Sequence, residues 1–123
     1  DKLAVEELKK RFPGLDSTVM VRGEAALNDA TIEDALQTGL DKAARITDNG
    51  CGVAGTPLDY VGADARRLLE EADVIVAKGQ GNFETMHGCG LNIYYSFLCK
   101  CDWFRKRFGM EKNKCMFVRE RSS

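Results

Sequence analysis

The chain has 123 residues, of which 44% are hydrophobic, and its 18 basic side chains nearly balance 19 acidic ones. This length and composition favour one globular domain with a substantial core, and the near-neutral charge disfavours a nucleic-acid binder. No run approaches the roughly 18 apolar residues of a membrane span, and no signal peptide precedes the first predicted helix. We therefore expect a cytoplasmic protein that contacts neither nucleic acid nor membrane.

The first predicted element is an amphipathic helix over residues 1–12. Leu3, Leu8 and Phe12 alternate there with lysines and glutamates, and Pro13-Gly14 ends the helix. The chain thus begins inside an element, with no capping residue. We expect this start not to be a natural domain boundary.

A β-branched strand is predicted over residues 17–22, followed by a second helix. Asn28, Asp29 or Thr31 could cap that helix. Capping is the simpler role for Asp29. The alternative is a metal ligand at the mouth of the sheet, because hard divalent cations prefer carboxylate oxygens.

A short strand over residues 44–47 precedes a glycine-rich loop, residues 48–57. Within the loop, Gly50 to Gly55 fits the dinucleotide fingerprint GxGxxG. However, Thr56-Pro57 stands where the helix should begin, and the next strand ends in Lys78 where a ribose-binding carboxylate would be expected. We favour a loop that folds closely around a phosphate or a neighbouring loop, with nucleotide binding as the alternative.

Residues 58–72 are predicted to be helical at their far end. A short β-branched strand then delivers Lys78 to the loop Gly79-Gln80-Gly81. Residues 82–84 could open a helix. Ligands of parallel α/β sheets bind where strands end and glycines allow close backbone approach, so Lys78 is a candidate anion contact. A solvated strand-end lysine is the alternative.

The remaining elements continue the alternation of strands and helices. Residues 91–99 are apolar throughout, as in a strand covered on both faces, and this strand delivers Lys100. An amphipathic basic helix is predicted over residues 102–108, a last strand over 114–119, and a frayed tail over 120–123. The pattern predicts a three-layer α/β/α fold with a mostly parallel sheet of about five strands.

Cysteine and histidine give no sign of a metal site or a catalytic nucleophile. The five cysteines form no CxxC pair, so neither a zinc site nor a disulfide framework is indicated, and buried reduced thiols are expected. The single histidine, His87, has no Cys, Asp or Ser grouped around it, and we expect a structural role.

Three phrases, taken together and in order, resemble the domain-of-unknown-function 89 family of metal-dependent damage-control phosphatases, which includes acidic-residue methyltransferase-like proteins. They are residues 26–35 (ALNDATIEDA), residues 77–85 (AKGQGNFET) and Lys100-Cys101. The second phrase is long and specific. The likeness runs from about residue 1 to residue 119.

The resemblance implies a phosphatase that hydrolyses small phosphorylated metabolites, such as sugar phosphates or phosphopantetheine-like compounds, with a bound divalent ion such as Mn²⁺, Mg²⁺, Co²⁺ or Ni²⁺. It implies that Asp29 is a metal ligand and that Lys78 acts at the substrate phosphate. Lys100 is a further substrate-binding candidate, with a solvated role as the alternative. The other residues that the resemblance assigns to the substrate pocket are Asn28, Gly79, Gln80, Gly81 and Asn82.

One departure from the family pattern concerns the metal. Family metal sites also use an Asp-Asn pair in an upstream DNAGE-like motif, which this chain lacks; Asp48-Asn49 lies in a different loop and does not replace it. We therefore expect residues 1–123 to be a single α/β domain forming the C-terminal portion of a longer phosphatase, with the missing N-terminal segment as its partner. Alone, the chain should bind metal weakly and have little or no activity.

Two assignments stay open at this stage. The chain offers several carboxylates and no way to choose a general base, and for Glu84 a structural role in its own helix is favoured. The alternatives to a phosphatase are a nucleotide-binding module and a non-catalytic interaction domain.

Overall fold

The computed structural model describes residues 2–24, 30–100, 102–109, 111 and 113–120. It divides the chain into two units, residues 1–53 and 54–123, which are treated separately below. The helices are α1 Lys2–Arg11, α2 Ile32–Gln37, a 3₁₀ turn Leu40–Lys42, α3 Ala63–Glu71, α4 Gln80–Met86 and α5 Asp102–Phe108. The strands are β1 Thr18–Val21, β2 Arg45–Asp48, β3 Ile75–Lys78, β4 Ile93–Leu98 and β5 Cys115–Arg119.

The first unit is built on the parallel pair β1 and β2, in which Val21 lies opposite Asp48. Val21, Ala35 and Leu40 are buried together, so the core joins β1 to α2 and to the 3₁₀ turn. Parallel strands need a crossover connection, and α2 supplies it between β1 and β2.

The start of α2 is fixed by Thr31. Its backbone N–H donates to the Asp34 carboxylate at 2.9 Å, and its hydroxyl donates to the same oxygen at 3.1 Å. Of the three predicted capping residues, the structure therefore uses Thr31. Asn28 and Asp29 lie outside the described residues.

The second unit contains a three-stranded sheet in the order β3-β4-β5, with β3 parallel and β5 antiparallel to β4. Side chains of β4 alternate strictly between a buried face and a partly exposed one. The buried face carries Tyr95 and Phe97, and Phe83 of α4 packs on both, with ring centroids 5.0 and 4.8 Å away. The core of this unit is thus the contact of α4 with one face of the sheet.

The observed elements agree with the predicted α/β class and with parallel strand pairing, and they differ in the sheet. The five strands of the described residues form one sheet of two and one of three, rather than a single five-stranded sheet. The predicted tail was wrong at Glu120, which is buried and whose N–H donates to Ile93 O at 2.7 Å; residues 121–123 lie outside the described residues.

The predicted buried thiols are found at some of the cysteines, and the histidine makes a packing contact. All four described cysteines are free thiols, and Cys51 and Cys99 are buried, but Cys115 is exposed because it begins the edge strand β5. His87 follows α4 and stacks on Phe83 at 4.7 Å, a structural contact. None of the described helices is both long and apolar enough to cross a bilayer.

Candidate active site at the carboxyl edge of β3 and β4

Two of the predicted lysines lie at the same edge of the three-stranded sheet. Lys78 is the last residue of β3, and Lys100 follows the end of β4, which runs parallel to β3. Both lysines are exposed. Because parallel strands present their carboxyl ends at one edge, the fold brings these two cations to the position where ligands of α/β sheets bind.

The turn after Lys78 depends on Gly79. Its φ of +95° lies in the region that favours glycine, and its N–H donates to Ser96 O at 2.8 Å. A Cβ added at this position would meet no atom within 4 Å. The glycine therefore serves the backbone turn and also leaves open space beside Lys78.

Gln80, which belongs to the turn that the resemblance assigns to the substrate pocket, connects the two strand ends. Its Oε1 accepts a hydrogen bond from Lys100 N–H at 3.1 Å, while its Nε2 donates to Glu84 Oε1 at 2.7 Å. The first bond ties the residue after β4 to the first turn of α4. The second gives Glu84 the structural role in its own helix that was expected.

The side-chain amide of Asn82 forms hydrogen bonds with Lys78 and Thr56. Its Nδ2 donates to the carbonyl oxygen of Lys78 at 2.6 Å, and its Oδ1 accepts from the Thr56 hydroxyl at 2.7 Å. The structure thus places Asn82 next to Lys78, and its side chain helps to hold the turn.

The glycine-rich loop ends against α4. Gly55 has a φ of +81°, and a Cβ on it would lie 2.4 Å from the carbonyl oxygen of Gly81, so only glycine fits. Thr56 N–H donates to Thr85 Oγ1 at 2.7 Å. Helix α3 begins only at Ala63, so the helix that a dinucleotide fingerprint requires does not start within the glycine run. The close packing favoured from the sequence is therefore made against helix α4, whereas a phosphate or a neighbouring loop was expected.

The assembled edge is suited to an anion. Two exposed lysines lie beside a turn that begins with the exposed Gly79, and the Glu84 carboxylate accepts a hydrogen bond from Gln80. Lysine binds phosphate oxygens as a point charge, and fixed cations stabilise charge on a transferring phosphoryl group. The edge can therefore bind a phosphate group and neutralise part of its charge.

The carboxyl edge of the first unit is organised around Asn49, which is fully buried. Its Oδ1 accepts from Gly23 N–H at 3.0 Å and from Cys51 N–H at 3.1 Å, and Arg22 N–H donates to Ala30 O at 3.0 Å. These bonds fix the described residues on either side of the segment 25–29. The predicted residues Asn28 and Asp29 belong to that segment and lie outside the described residues.

The described residues do not by themselves form a metal site. Within the ranges that the structure describes, no group of three or more His, Cys, Asp or Glu side chains converges to hold an ion. Asp29, the one ligand that the resemblance assigns to this chain, is not among them.

A cavity of about 490 Å³ occurs elsewhere, in the first unit. Its lining comes from α1, α2 and the amino ends of β1 and β2, and includes Lys9, Leu36 and Arg45. Ligands of parallel sheets collect at the opposite, carboxyl ends of the strands. The cavity contains none of the predicted site residues.

The chain is similar to known proteins over most of its length. Residues 1–116 match the sequence profile of the damage-control phosphatase ARMT1-like domain. A damage-control phosphatase of Archaeoglobus fulgidus is 38% identical over 112 residues, which are 89% of this chain and 38% of that protein. The damage-control phosphatase PH1575 of Pyrococcus horikoshii is 33% identical over 98% of this chain and 42% of its own length.

A solved structure supports the same relationship. The crystal structure of PH1575, a DUF89 family protein from Pyrococcus horikoshii, superposes with a TM-score of 0.86 at 28% sequence identity. The match covers 94% of this chain and 41% of that one. The chain therefore spans about two fifths of the length of the relatives that it matches.

Proposed function

Because the chain belongs to the damage-control phosphatase ARMT1-like family, we propose that it forms the phosphate-binding part of a metal-dependent phosphatase acting on small phosphorylated metabolites. Sugar phosphates and phosphopantetheine-like compounds are the proposed substrate classes. Lys78 binds a non-bridging oxygen of the substrate phosphate, and Lys100 is the second substrate contact. Gly79, Gly81, Asn82 and Asn28 complete the proposed pocket.

One observation carries the proposal. Lys78 and Lys100 follow neighbouring parallel strands, and Gln80 holds the residue after β4 against the turn that follows β3. Separate chain segments thus converge on one edge, where both lysines are exposed. A phosphate monoester carries the opposite charge and three oxygens that can accept hydrogen bonds.

The chemistry of phosphate-ester hydrolysis explains why such an edge is useful. The transferring group carries negative charge over its oxygens, and catalysis depends on positioning and on neutralising this charge. Lys78 supplies a fixed positive charge in a turn whose backbone is held at several points. Its role is to orient the phosphate and to offset charge that develops on it, with the general base left unassigned.

We include a divalent ion, Mg²⁺, Mn²⁺, Co²⁺ or Ni²⁺, in the proposal. Asp29 would hold it together with ligands outside this chain, since carboxylate oxygens suit such cations. When bound, an ion of this kind polarises a phosphoryl oxygen and lowers the pKa of a bound water. The described residues contribute the substrate side of the site.

The rest of a longer polypeptide is the proposed partner, completing a three-layer α/β/α domain. The chain spans only about two fifths of its relatives. In addition, the second face of the β3-β4-β5 sheet leaves Val76 and Phe117 more than half exposed, whereas parallel strands are usually covered on both faces. For the same reason we expect the 123-residue chain alone to show little or no phosphatase turnover.

The proposal is tested by binding rather than by turnover. In a ¹⁵N-labelled chain, glucose 6-phosphate and inorganic phosphate should shift the amide signals of Gly79 and Lys100. Lys78→Ala should weaken this binding about tenfold or more, because a charge-assisted hydrogen bond is lost. Lys106→Ala removes the same charge from the exposed side of α5 and should leave the affinity unchanged.

Two results would contradict the proposal. Equal weakening by Lys78→Ala and Lys106→Ala would mean that phosphate responds only to net charge. Full metal-dependent turnover by the purified 123-residue chain would mean that the ligands expected from outside it are not needed.

A further inference from the structure

Thr56 is a buried residue that bonds to α4 through both its backbone and its side chain. Its N–H donates to Thr85 Oγ1 at 2.7 Å, and the Thr85 hydroxyl donates in turn to Gly81 O at 2.8 Å. Its own hydroxyl reaches Asn82 Oδ1 at 2.7 Å. The sequence pattern marked this threonine only as an interruption of the dinucleotide fingerprint, and it lies 26 positions before Asn82 in the sequence.

The orientation of the Asn82 amide follows from its partners. The carbonyl oxygen of Lys78 can only accept a hydrogen bond, so the amide must turn its Nδ2 toward Lys78. Its Oδ1 then faces Thr56, and the threonine hydroxyl must donate. The three groups are joined by two consecutive hydrogen bonds. The Thr56 hydroxyl donates to the Asn82 amide, and that amide donates to the carbonyl of Lys78.

This series of hydrogen bonds ends at the backbone carbonyl of Lys78, and the orientation of that peptide matters for binding. The peptide between Lys78 and Gly79 joins the end of β3 to a residue with positive φ, and the Asn82 bond holds the carbonyl of that peptide. Gly55 packs against Gly81 and keeps Thr56 close to α4. The direction of the lysine side chain therefore depends on contacts made by the glycine-rich loop.

We propose that Thr56 is a positioning residue: through the amide of Asn82 it holds the turn that presents Lys78 to a bound phosphate. The inference rests on the proposed function for the role of Lys78. It gives the loop at residues 54–57 a purpose other than nucleotide binding. The contact of Thr56 is with Asn82, and its effect on a phosphate is indirect.

The test compares Thr56→Val, which keeps the shape and removes the hydroxyl, with Thr56→Ser, which keeps the hydroxyl. In ligand-free chain, hydrogen exchange of the Asn82 side-chain amide is followed by NMR. We expect exchange about fivefold faster in Thr56→Val, since a partly buried hydrogen bond worth about 1 kcal/mol is lost, and near-normal exchange in Thr56→Ser. Should Thr56→Val fail to fold, Thr56→Ala removes the same hydroxyl and gives the same comparison.

The second measurement is affinity for inorganic phosphate and glucose 6-phosphate, read from the Gly79 amide signal. Thr56→Val should bind about fivefold more weakly, and Thr56→Ser should bind within about twofold of the unmodified chain. Thr38→Val is the matched control: its hydroxyl donates to Ala35 O at 2.9 Å in the first unit. It should lower stability without changing phosphate affinity.

The two measurements separate the possible failures. Unchanged Asn82 exchange in Thr56→Val would overturn the inference whatever the affinity does. Normal phosphate affinity in that variant would also overturn it, since the bond would then not serve Lys78. Absence of phosphate binding by the unmodified chain would instead refute the proposed function, and it would remove the stated role of Thr56 with it.

Discussion

The two ends of the β3-β4-β5 sheet treat polar groups in opposite ways. At the carboxyl ends of β3 and β4, Lys78 and Lys100 are exposed beside a glycine turn. At the other end Glu120 is buried, and its carboxylate accepts from Gly88 N–H at 3.0 Å and from the hydroxyl of Tyr95. One end presents charge to solvent, and the other encloses it.

The difference teaches which polar groups hold the fold and which are available for binding. A buried carboxylate is tolerated only when its hydrogen bonds are satisfied, so the Glu120 network contributes to stability. Exposed cations contribute little to stability and can therefore be placed where a ligand needs them. Substitutions at the Glu120 end should change the free energy of unfolding, whereas substitutions at the lysine end should change affinity.

The largest effect is expected from Glu120→Ala. Removing the carboxylate leaves the buried Tyr95 hydroxyl without its acceptor, and it also removes the acceptor of the Gly88 N–H. We expect the free energy of unfolding, measured with urea, to fall by about 3–4 kcal/mol. Glu84→Ala is the control, because Glu84 is exposed and should change stability by less than about 0.5 kcal/mol. Similar losses in the two variants would remove the contrast between the ends.

The Glu120 network also marks a limit of sequence reasoning. Short apolar and β-branched runs placed all five strands to within a few residues, because such runs are a local property of the sequence. Glu120 was assigned to a frayed tail, since a charged residue next to the end of a chain is normally solvated. Its burial depends on Tyr95 and Gly88, which are distant in sequence. Local sequence patterns cannot predict contacts of this kind.

A smaller loss of stability is expected from Gly55→Ala, which tests the packing of the glycine-rich loop against α4 beside Lys78. The new Cβ would lie 2.4 Å from Gly81 O, and the φ of +81° adds strain. We expect a decrease of about 2–3 kcal/mol in the free energy of unfolding. Gly90→Ala is a matched control, because its φ of +82° is the same but no atom lies within 4 Å; it should cost only about 1 kcal/mol.

Equal losses in the two glycine variants would mean that backbone strain alone explains the effect. The contact of Gly55 with α4 would then contribute nothing, and the loop could not position Thr56 as proposed. A larger loss at Gly55 would support the view that the lysine turn rests on a tightly packed base.

The candidate site was predictable in part for a related reason. Lys78, Gly79 and Lys100 follow predicted strands, and strand ends of parallel sheets meet at one edge, so their convergence could be expected. Gln80 and Thr56 could not be found in this way. Their roles consist of bonds to Lys100 and Asn82, which exist only once β4 and the glycine-rich loop have folded against α4.

The smallest predicted effect is a dependence of stability on alkaline pH. Burial, and then the hydrogen bond to Glu120, raises the pKa of Tyr95 above its ordinary value near 10. The folded state thus favours the neutral phenol. Its contribution to stability is fully present below about pH 10 and is lost as the pH rises toward the folded-state pKa, because the unfolded chain ionises first.

At pH 11 the loss from Tyr95 should be about 1.4 kcal/mol, which is one pH unit above the unfolded-state pKa multiplied by 1.36 kcal/mol per unit. Urea unfolding between pH 8 and 11 measures it, with Tyr95→Phe as the reference that subtracts all other titrating groups. The unmodified chain should lose stability more steeply than Tyr95→Phe over this range. Parallel curves would mean that solvent reaches the Tyr95 hydroxyl, and the Glu120 end would then be as open as the lysine end.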